Sequence, residues 1–129
     1  MIDELDPGFS VRSSRGKKNR SDGKRFEQET ARALRRVFPD AKRLFGQSRD
    51  GNEVPDLGGT PYWIECGRGS TISIQTKLKQ GTRDSANSPS VEYAFAPVVV
   101  VVRNPKTKVT SVTMTLEEFI DLLGQAHGV

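Results

Sequence analysis

Five consecutive valines at residues 98–102 constrain the fold of this chain more than any other feature. A valine run has no polar face, so it predicts a central strand that is buried on both sides. Residues 109–114 alternate between apolar and polar side chains beyond a turn predicted at residues 104–107, which favours an antiparallel partner for that strand. Because helices must cover a sheet that is buried on both faces, the sequence predicts an α/β fold.

The first helix should begin near Ser21 or Asp22, either of which can cap it, and end at Pro39. Its apolar positions recur every three or four residues, which is typical of an amphipathic helix. They are Phe26, Thr30, Ala33, Leu34 and Val37. Strands are predicted at residues 41–45, 54–57 and 61–66, and a second helix over residues 72–84 with Ile74 and Leu78 on one face.

The last helix should begin after Thr115, whose hydroxyl can cap it together with Glu118, and stop at Gly124. Its predicted core face carries Leu116, Phe119, Ile120 and Leu123. In the loop at residues 85–96, Tyr93 and Phe95 are the expected anchors. The element order is then helix, three strands, helix, two strands, helix, which predicts a mixed central sheet of about five strands flanked by helices.

The predicted domain organisation has three parts: a disordered basic arm at residues 1–22, one domain at residues 23–124 and a frayed tail at residues 125–129 that holds the only histidine, His127. Cys66 is the only cysteine, so no disulfide can form within the chain. No apolar run reaches the roughly 18 residues of a membrane helix, and no secretory signal is visible at the start. We therefore expect a soluble protein of a reducing compartment, the cytoplasm.

Positive charge is concentrated in one block of the chain. Thirteen of the twenty Lys and Arg residues, but only four acids, lie between Arg12 and Arg49. Such a block attracts phosphate backbones and releases counterions on binding. It predicts a nucleic-acid partner, although a basic tail that only keeps the protein soluble has the same composition.

Two acids flank a Gly-Gly turn in a pattern that suits a metal ion. Asp56 and Glu65 each lie at the end of an apolar segment, so both carboxylates can converge at one edge of the sheet if the two strands pair. Two carboxylates and a backbone carbonyl form an oxygen site suited to Mg²⁺ or Mn²⁺. Glu27 on the first helix can add a third carboxylate. Acids on paired strands also arise by chance, so spacing alone does not establish the site.

The same residues carry a resemblance to a known family. Residues 54–56 (Val-Pro-Asp), a gap, and then residues 64–66 (Ile-Glu-Cys) resemble the motif of the PD-(D/E)XK nuclease superfamily. Residues 46–51 and 59–66 resemble small phage-encoded members, which are similar to Holliday-junction resolvases and to viral-type replication-repair nuclease domains. The helix opening at Gly23, Phe26 and Glu27 resembles the resolvase-type start. The resemblance covers about residues 23–123 and implies a restriction-endonuclease-like core.

In that family the motif continues Glu-X-Lys, and the lysine orients water and offsets charge on the phosphate. Here the lysine position holds Gly67, which can do neither. Arg68 is adjacent but would point to the opposite face of a continuing strand. Lys77 or Lys79 of the second helix could reach back instead, and otherwise the protein binds without cutting.

The resemblance thus implies an endonuclease that acts on DNA, with branched or structured DNA as one substrate class and RNA left open. It also implies a protein of the cytoplasm of a phage's host, and members of this type often work as homodimers. Its expected catalytic residues are Asp56, Glu65, Glu27 and Lys77, and its metal ligands are Asp56, Glu65, Glu27 and the Cys66 carbonyl. The expected nucleic-acid contacts are Gln47, Arg49, Arg68, Gln80, Lys17, Lys18, Arg20, Lys24 and Arg25.

Two rival interpretations belong to other classes. One is a catalytically inactive nucleic-acid-binding protein on a nuclease fold, for which Gly67 is the best support. The other is a packaging protein whose core is a bystander to the basic arm. For Trp63 and Cys66, core packing is expected rather than base stacking or nucleophilic chemistry.

Overall fold

The computed structural model describes residues 7–45, 53–69 and 73–129, with side chains from residue 20 onward. Its elements are helix α1 (Pro7–Leu34), strands β1 (Lys42–Arg43), β2 (Leu57–Gly58) and β3 (Trp63–Arg68), helix α2 (Ile74–Ala86), strands β4 (Val98–Asn104) and β5 (Val109–Thr113), and helix α3 (Leu116–His127). The predicted α/β class, the element order and the five-stranded mixed sheet are confirmed.

The strands lie side by side in chain order, β1-β2-β3-β4-β5. Strands β1, β2 and β3 are antiparallel neighbours, and β4 and β5 form a second antiparallel pair. Only β3 and β4 run parallel, with Glu65 opposite Val100, and α2 makes the crossover that a parallel pair needs. This crossover places α2 directly over the strand that carries Glu65.

The valine run forms β4, an interior strand between β3 and β5, and it is buried on both faces, as predicted. All five valines of residues 98–102 are at most 8% exposed. On one face Val99 and Val101 pack with Phe26 and Ala31 of α1, and on the other face Val98 packs with Trp63 and Tyr93. A strand without a polar side chain is stable here because both of its faces are covered.

Helix α1 differs from its prediction at both ends. Its backbone is helical from Pro7 to Leu34, so it neither begins at Ser21 or Asp22 nor extends to Pro39. Ala31 is buried in place of the predicted Ala33, and Val37 is 70% exposed. Glu27 is half-buried, and its carboxylate bonds to Arg43 of β1. Most side chains of the predicted arm lie outside the described residues, and its disorder stays a prediction.

Helix α2 packs closely on the sheet because Gly81 has no side chain. A Cβ atom at Gly81 would lie 2.8 Å from Val98 Cγ1 and 3.5 Å from Glu65 Cγ. The glycine weakens the helix as an isolated segment but allows this close approach. In the following loop Tyr93 is a buried anchor, as predicted, whereas Phe95 is 78% exposed, so the prediction for Phe95 was wrong.

Helix α3 begins as predicted but ends later. The Thr115 hydroxyl accepts a hydrogen bond from the Glu118 amide at 3.2 Å. The predicted stop at Gly124 was wrong, because the helix continues to His127 and ends at Gly128, which is left-handed. Residues 125–127, which we expected to fray, are therefore helical. In the described part of the chain, no helix is long and apolar enough to cross a membrane.

Candidate functional site

Asp56 lies immediately before β2, and its backbone is fixed on both sides. Its carbonyl accepts from the Leu44 amide and its amide donates to the Ile64 carbonyl, both at 2.9 Å. Strand β2 is too short to provide a backbone acceptor for the Cys66 amide. The Asp56 side chain is that acceptor instead: its Oδ2 accepts a hydrogen bond from the Cys66 amide at 2.8 Å. The carboxylate is thereby held against the middle of β3, which leaves Oδ1 for another partner.

Glu65 lies in the interior strand β3, on the face that α2 covers. Its Oε2 accepts a hydrogen bond from the Trp63 indole N–H at 2.9 Å. Burial, followed by the negative charge of Asp56, raises the pKa of Glu65 to about 7. The prediction that Asp56 and Glu65 converge on paired strands is thus met by the geometry, and their charges interact.

Trp63 is fully buried, so the expectation of core packing rather than base stacking is confirmed. Its contact with Glu65 was not foreseen. Residues two apart on a strand point to the same face, and this spacing is the signal from which the contact could have been found.

Glu27 reaches the site from α1, one residue beyond the buried Phe26. Its Oε1 accepts from Arg43 Nε at 2.6 Å. Burial raises the pKa of Glu27, the bond to Arg43 opposes this rise, and the charge of Asp56 adds to it. The sequence indicated Glu27 but missed Arg43, because nothing local in the chain links residues sixteen positions apart.

Lys77 provides positive charge to all three acids. It lies one helical turn before Gly81, and so on the side of α2 that faces Glu65. Its charge lowers the otherwise raised pKa values of Glu27, Asp56 and Glu65. Lys79 is exposed, so of the two lysines considered from the sequence it is Lys77 that lies towards the carboxylates.

Gly67 is buried inside β3, where the sequence predicted the start of a turn. The strand therefore continues to Arg68, which points to the opposite face, as expected for a continuing strand. Arg68 Nη1 lies 3.2 Å from Asp22 Oδ2 of α1. Because Arg68 is engaged there, it does not replace the missing lysine.

Cys66 behaves as a buried apolar residue, as predicted. Burial, followed by the neighbouring carboxylates, raises the pKa of its thiol, so the thiolate is disfavoured. The Trp63 amide donates to the carbonyl of Pro97, directly before β4, and the Gly69 amide donates to the carbonyl of Arg103 in β4. The alternate backbone groups, those of Cys66 included, are therefore directed towards β2 and Asp56. The Cys66 carbonyl thus lies on the Asp56 side of the strand.

These donors suit a magnesium ion, which needs only one or two carboxylates and keeps several waters. Asp56, Glu65 and the Cys66 carbonyl supply that number of oxygens. In residues 7–45, 53–69 and 73–129, no group of three or more His, Cys, Asp or Glu side chains is arranged to hold a metal ion. Glu27 is instead engaged by Arg43, and its role as a ligand stays a prediction.

The predicted nucleic-acid contacts are only partly described. Arg20, Lys24 and Arg25 are exposed along α1, and Gln80 is exposed on α2. The side chains of Lys17, Lys18, Gln47 and Arg49 lie outside the described residues. The structure thus places a short basic stretch of α1 directly before Glu27.

No protein-family model, curated protein or solved structure matches this chain. The functional interpretation therefore rests on the geometry and charge of the chain's own residues.

Proposed function

We propose that this protein is a divalent-metal-dependent endonuclease that hydrolyses the phosphodiester backbone of DNA, with branched or structured phage DNA as the substrate class. The observation that carries the proposal is the convergence of Asp56 and Glu65 on adjacent strands with Lys77 of α2 beside them. Two partly buried acids that lie close together are costly for folding, because burial disfavours their charged forms. A bound cation removes that cost.

The residues divide the chemistry among them. Bound Mg²⁺ or Mn²⁺ would polarise the scissile phosphate and lower the pKa of a water molecule. Asp56 and Glu65 hold the ion, and the Cys66 amide and the Trp63 indole hold these two carboxylates in orientation. Lys77 orients the attacking water and offsets negative charge that develops on the phosphate.

The resemblance to PD-(D/E)XK nucleases supports this assignment. Asp56 lies directly before β2 and Glu65 lies on β3, its antiparallel neighbour; a helix then crosses over and a parallel strand follows. The proposed change from the family pattern is that Lys77 takes the place that Gly67 leaves empty. The lysine comes from the helix above Glu65 rather than from the strand of Glu65.

The basic stretch of α1 supports the choice of nucleic acid as substrate. Arg20, Lys24 and Arg25 are exposed and precede Glu27 by at most two helical turns. Cations there can bind the phosphate backbone that enters the site, without reading its sequence. Affinity for DNA should therefore fall with rising salt.

A cleavage assay tests the proposal. Labelled single-stranded, duplex, flap and four-way-junction DNA are incubated with Mg²⁺ or Mn²⁺ and with wild-type protein, Asp56→Asn or Glu65→Gln. Both variants keep the acceptor that binds Cys66 or Trp63 but lose the charge. Metal-dependent cutting by the wild type, lost in both variants and retained in the exposed control Glu29→Gln, is the expected result.

A second function is favoured by Gly67, which leaves the lysine position without a side chain in the middle of β3. On that basis the protein binds nucleic acid without cutting it. Retarded but intact DNA with every metal and every substrate would establish this alternative and overturn the enzyme. The two functions share the fold and the basic helix, so binding alone does not separate them.

A further inference from the structure

Helix α3 carries its apolar residues on the outside of the molecule. Leu116, Ile120 and Leu123, the α3 face, are 72%, 52% and 41% exposed. None of the residues of α3 is buried. The sequence predicted this face as part of the core, and that prediction was wrong for the described chain. The face has the apolar composition of a buried surface, but no described residue covers it.

An open apolar groove of about 460 Å³ lies beside the α3 face. Val37 from the segment after α1, Val112 from β5 and Phe119 from α3 form its rim, and they are 70%, 63% and 45% exposed. Its floor is the sheet surface at Ile64, Val99 and Val101. Phe119 belongs to the same helix as the α3 face, so groove and face form one continuous surface.

The size of this surface fits a protein interface. The six exposed side chains of the α3 face and the groove rim present on the order of 600 Å² of apolar area, which is at the upper limit for the patch of an ordinary monomer. A standard interface buries roughly 800 Å² per partner, of which somewhat more than half is apolar. The area therefore matches one partner of moderate size.

The charges around the surface are complementary to one another. Residues 114–129 hold three acids (Glu117, Glu118 and Asp121) and no Lys or Arg. The segment that lines the opposite wall of the groove with Leu34, Val37 and Phe38 also carries Arg32, Arg35 and Arg36, which are all exposed. In the described part of the chain, none of the three acids of α3 forms an ion pair. The two helical segments that wall the groove thus carry opposite charge.

We propose that the α3 face of one copy of this chain packs into the groove of a second copy about a two-fold axis. Because face and groove lie side by side on each copy, one axis forms both contacts at once. The acids on each α3 then meet the arginines around the end of α1 of the other copy. This interface goes beyond the proposed nuclease activity and does not depend on it.

Sedimentation velocity on the full chain tests the interface. From about 1 to about 100 µM, a range that spans the affinity of a standard-size interface, the wild type is expected to associate to a dimer. Ile120→Glu places a charge in the middle of the α3 face and should weaken the dimer by at least about 100-fold, since a buried unpaired charge costs several kcal/mol. Val91→Glu, at a residue that is 98% exposed and outside the surface, is the matched control.

A charge exchange keeps the proposal testable if Ile120→Glu fails to fold. One double variant carries Glu117→Lys and Asp121→Lys, and the other carries Arg32→Glu and Arg36→Glu. Each should be monomeric alone, because like charges would face each other across the interface. An equimolar mixture should form a heterodimer. Recovery in the mixture supports the interface. Two outcomes would overturn it. One is a wild type that stays monomeric at the highest concentration, which would leave the α3 face to a different protein. The other is a pair of variants that each dimerise as the wild type does.

Discussion

The carboxylate site between β2 and α2 and the surface formed by α3 and the groove depart from the usual distribution of residues in opposite directions. At the site, acids are drawn into the interior, and burial raises the pKa values of Glu27, Asp56 and Glu65. At α3, large apolar side chains face outward. A buried charge and an exposed apolar patch are the two observations about burial that most often indicate function.

Both regions are incomplete within the single chain, and each lacks something different. Three acids and two nearby cations, Arg43 and Lys77, leave the site with one negative charge in excess when all are ionised. A divalent cation reverses that sign and prepares the site for a phosphate. The α3 surface lacks area rather than charge, and the proposed second copy would supply it. On the two proposals, one region is completed by an ion and the other by a protein.

Removing the lysine should have the largest effect. Lys77→Ala is expected to reduce cleavage about 10³-fold, or about 4 kcal/mol of barrier, because Lys77 is the residue proposed to offset the charge on the phosphate. Affinity for DNA should change less than about threefold, since one phosphate contact contributes little to the total. Cleavage rates under single-turnover conditions and a binding titration measure the two quantities.

Lys79→Ala is the matched control, because Lys79 lies on the same helix and is exposed. It should leave both cleavage and binding close to the wild type. Equal loss in the two variants would mean that α2 contributes only general positive charge.

The two regions should also differ sharply in stability. Leu57 is fully buried beside Asp56, and Leu57→Ala is expected to cost about 3 kcal/mol of unfolding free energy because it leaves a cavity. Ile120→Ala on the α3 face should cost less than about 1 kcal/mol at low concentration, where the dimer is dissociated. Urea denaturation of each variant at about 1 µM compares them. Similar costs at both positions would show that α3 is covered within the monomer.

The sequence predicted the parts of this comparison that depend on local chemistry. The valine run predicted the central strand because no polar residue interrupts it, and Thr115 predicted the start of α3 because a hydroxyl at that place binds a free amide. The period of α3 correctly grouped Leu116, Ile120 and Leu123 on one face. It could not say whether the chain covers that face, because periodicity carries no information about the neighbours of a helix.

The site was predicted to a similar depth. Asp56 and Glu65 were predicted to lie close together because a turn joins their two strands, whereas Lys77 was considered with Lys79 because the resemblance allows the motif lysine to come from the second helix. Arg43 and Trp63 were missed as partners of the acids. The contact of Arg43 arises only when segments distant in the sequence pack together. The contact of Trp63 follows from strand spacing, which was not applied because Trp63 was assigned to the core. The prediction of Glu27 depended on the resemblance and on its place beside Phe26.

The raised pKa of Glu65 should make stability depend on pH. Its pKa rises from 4.5 in the unfolded chain to about 7 on folding, so the folded state binds the proton more tightly. In the absence of metal, stability is then highest below pH 4.5, falls as the pH rises through 7 and levels off above it. Glu65→Gln should therefore be more stable than the wild type at pH 8 by on the order of 2 kcal/mol, with no gain at pH 4.

Guanidinium denaturation of both proteins at the two pH values, with chelator present, measures this gain. Asp56 and Glu27 titrate in both proteins, so the difference reports the charge of Glu65 together with its repulsion from Asp56. A gain of equal size at pH 4 and pH 8 would mean that glutamine improves packing and that the charge of Glu65 has no cost.

Metal addition gives the smallest expected effect and the most direct test of what completes the site. For a site with a Kd of about 1 mM, Mg²⁺ at about 10 mM should stabilise the wild type by about 1.4 kcal/mol, which raises the melting temperature by roughly 4 °C. The increase should be largest at pH 8 and small at pH 5.5, because a protonated Glu65 competes with the ion. Asp56→Asn should show no increase at either pH, whereas Ile120→Glu, altered only at the α3 face, should keep it. An equal increase in the melting temperature of Asp56→Asn would place the bound ion elsewhere. The acids beside β2 would then be compensated, among the described residues, by Arg43 and Lys77 alone.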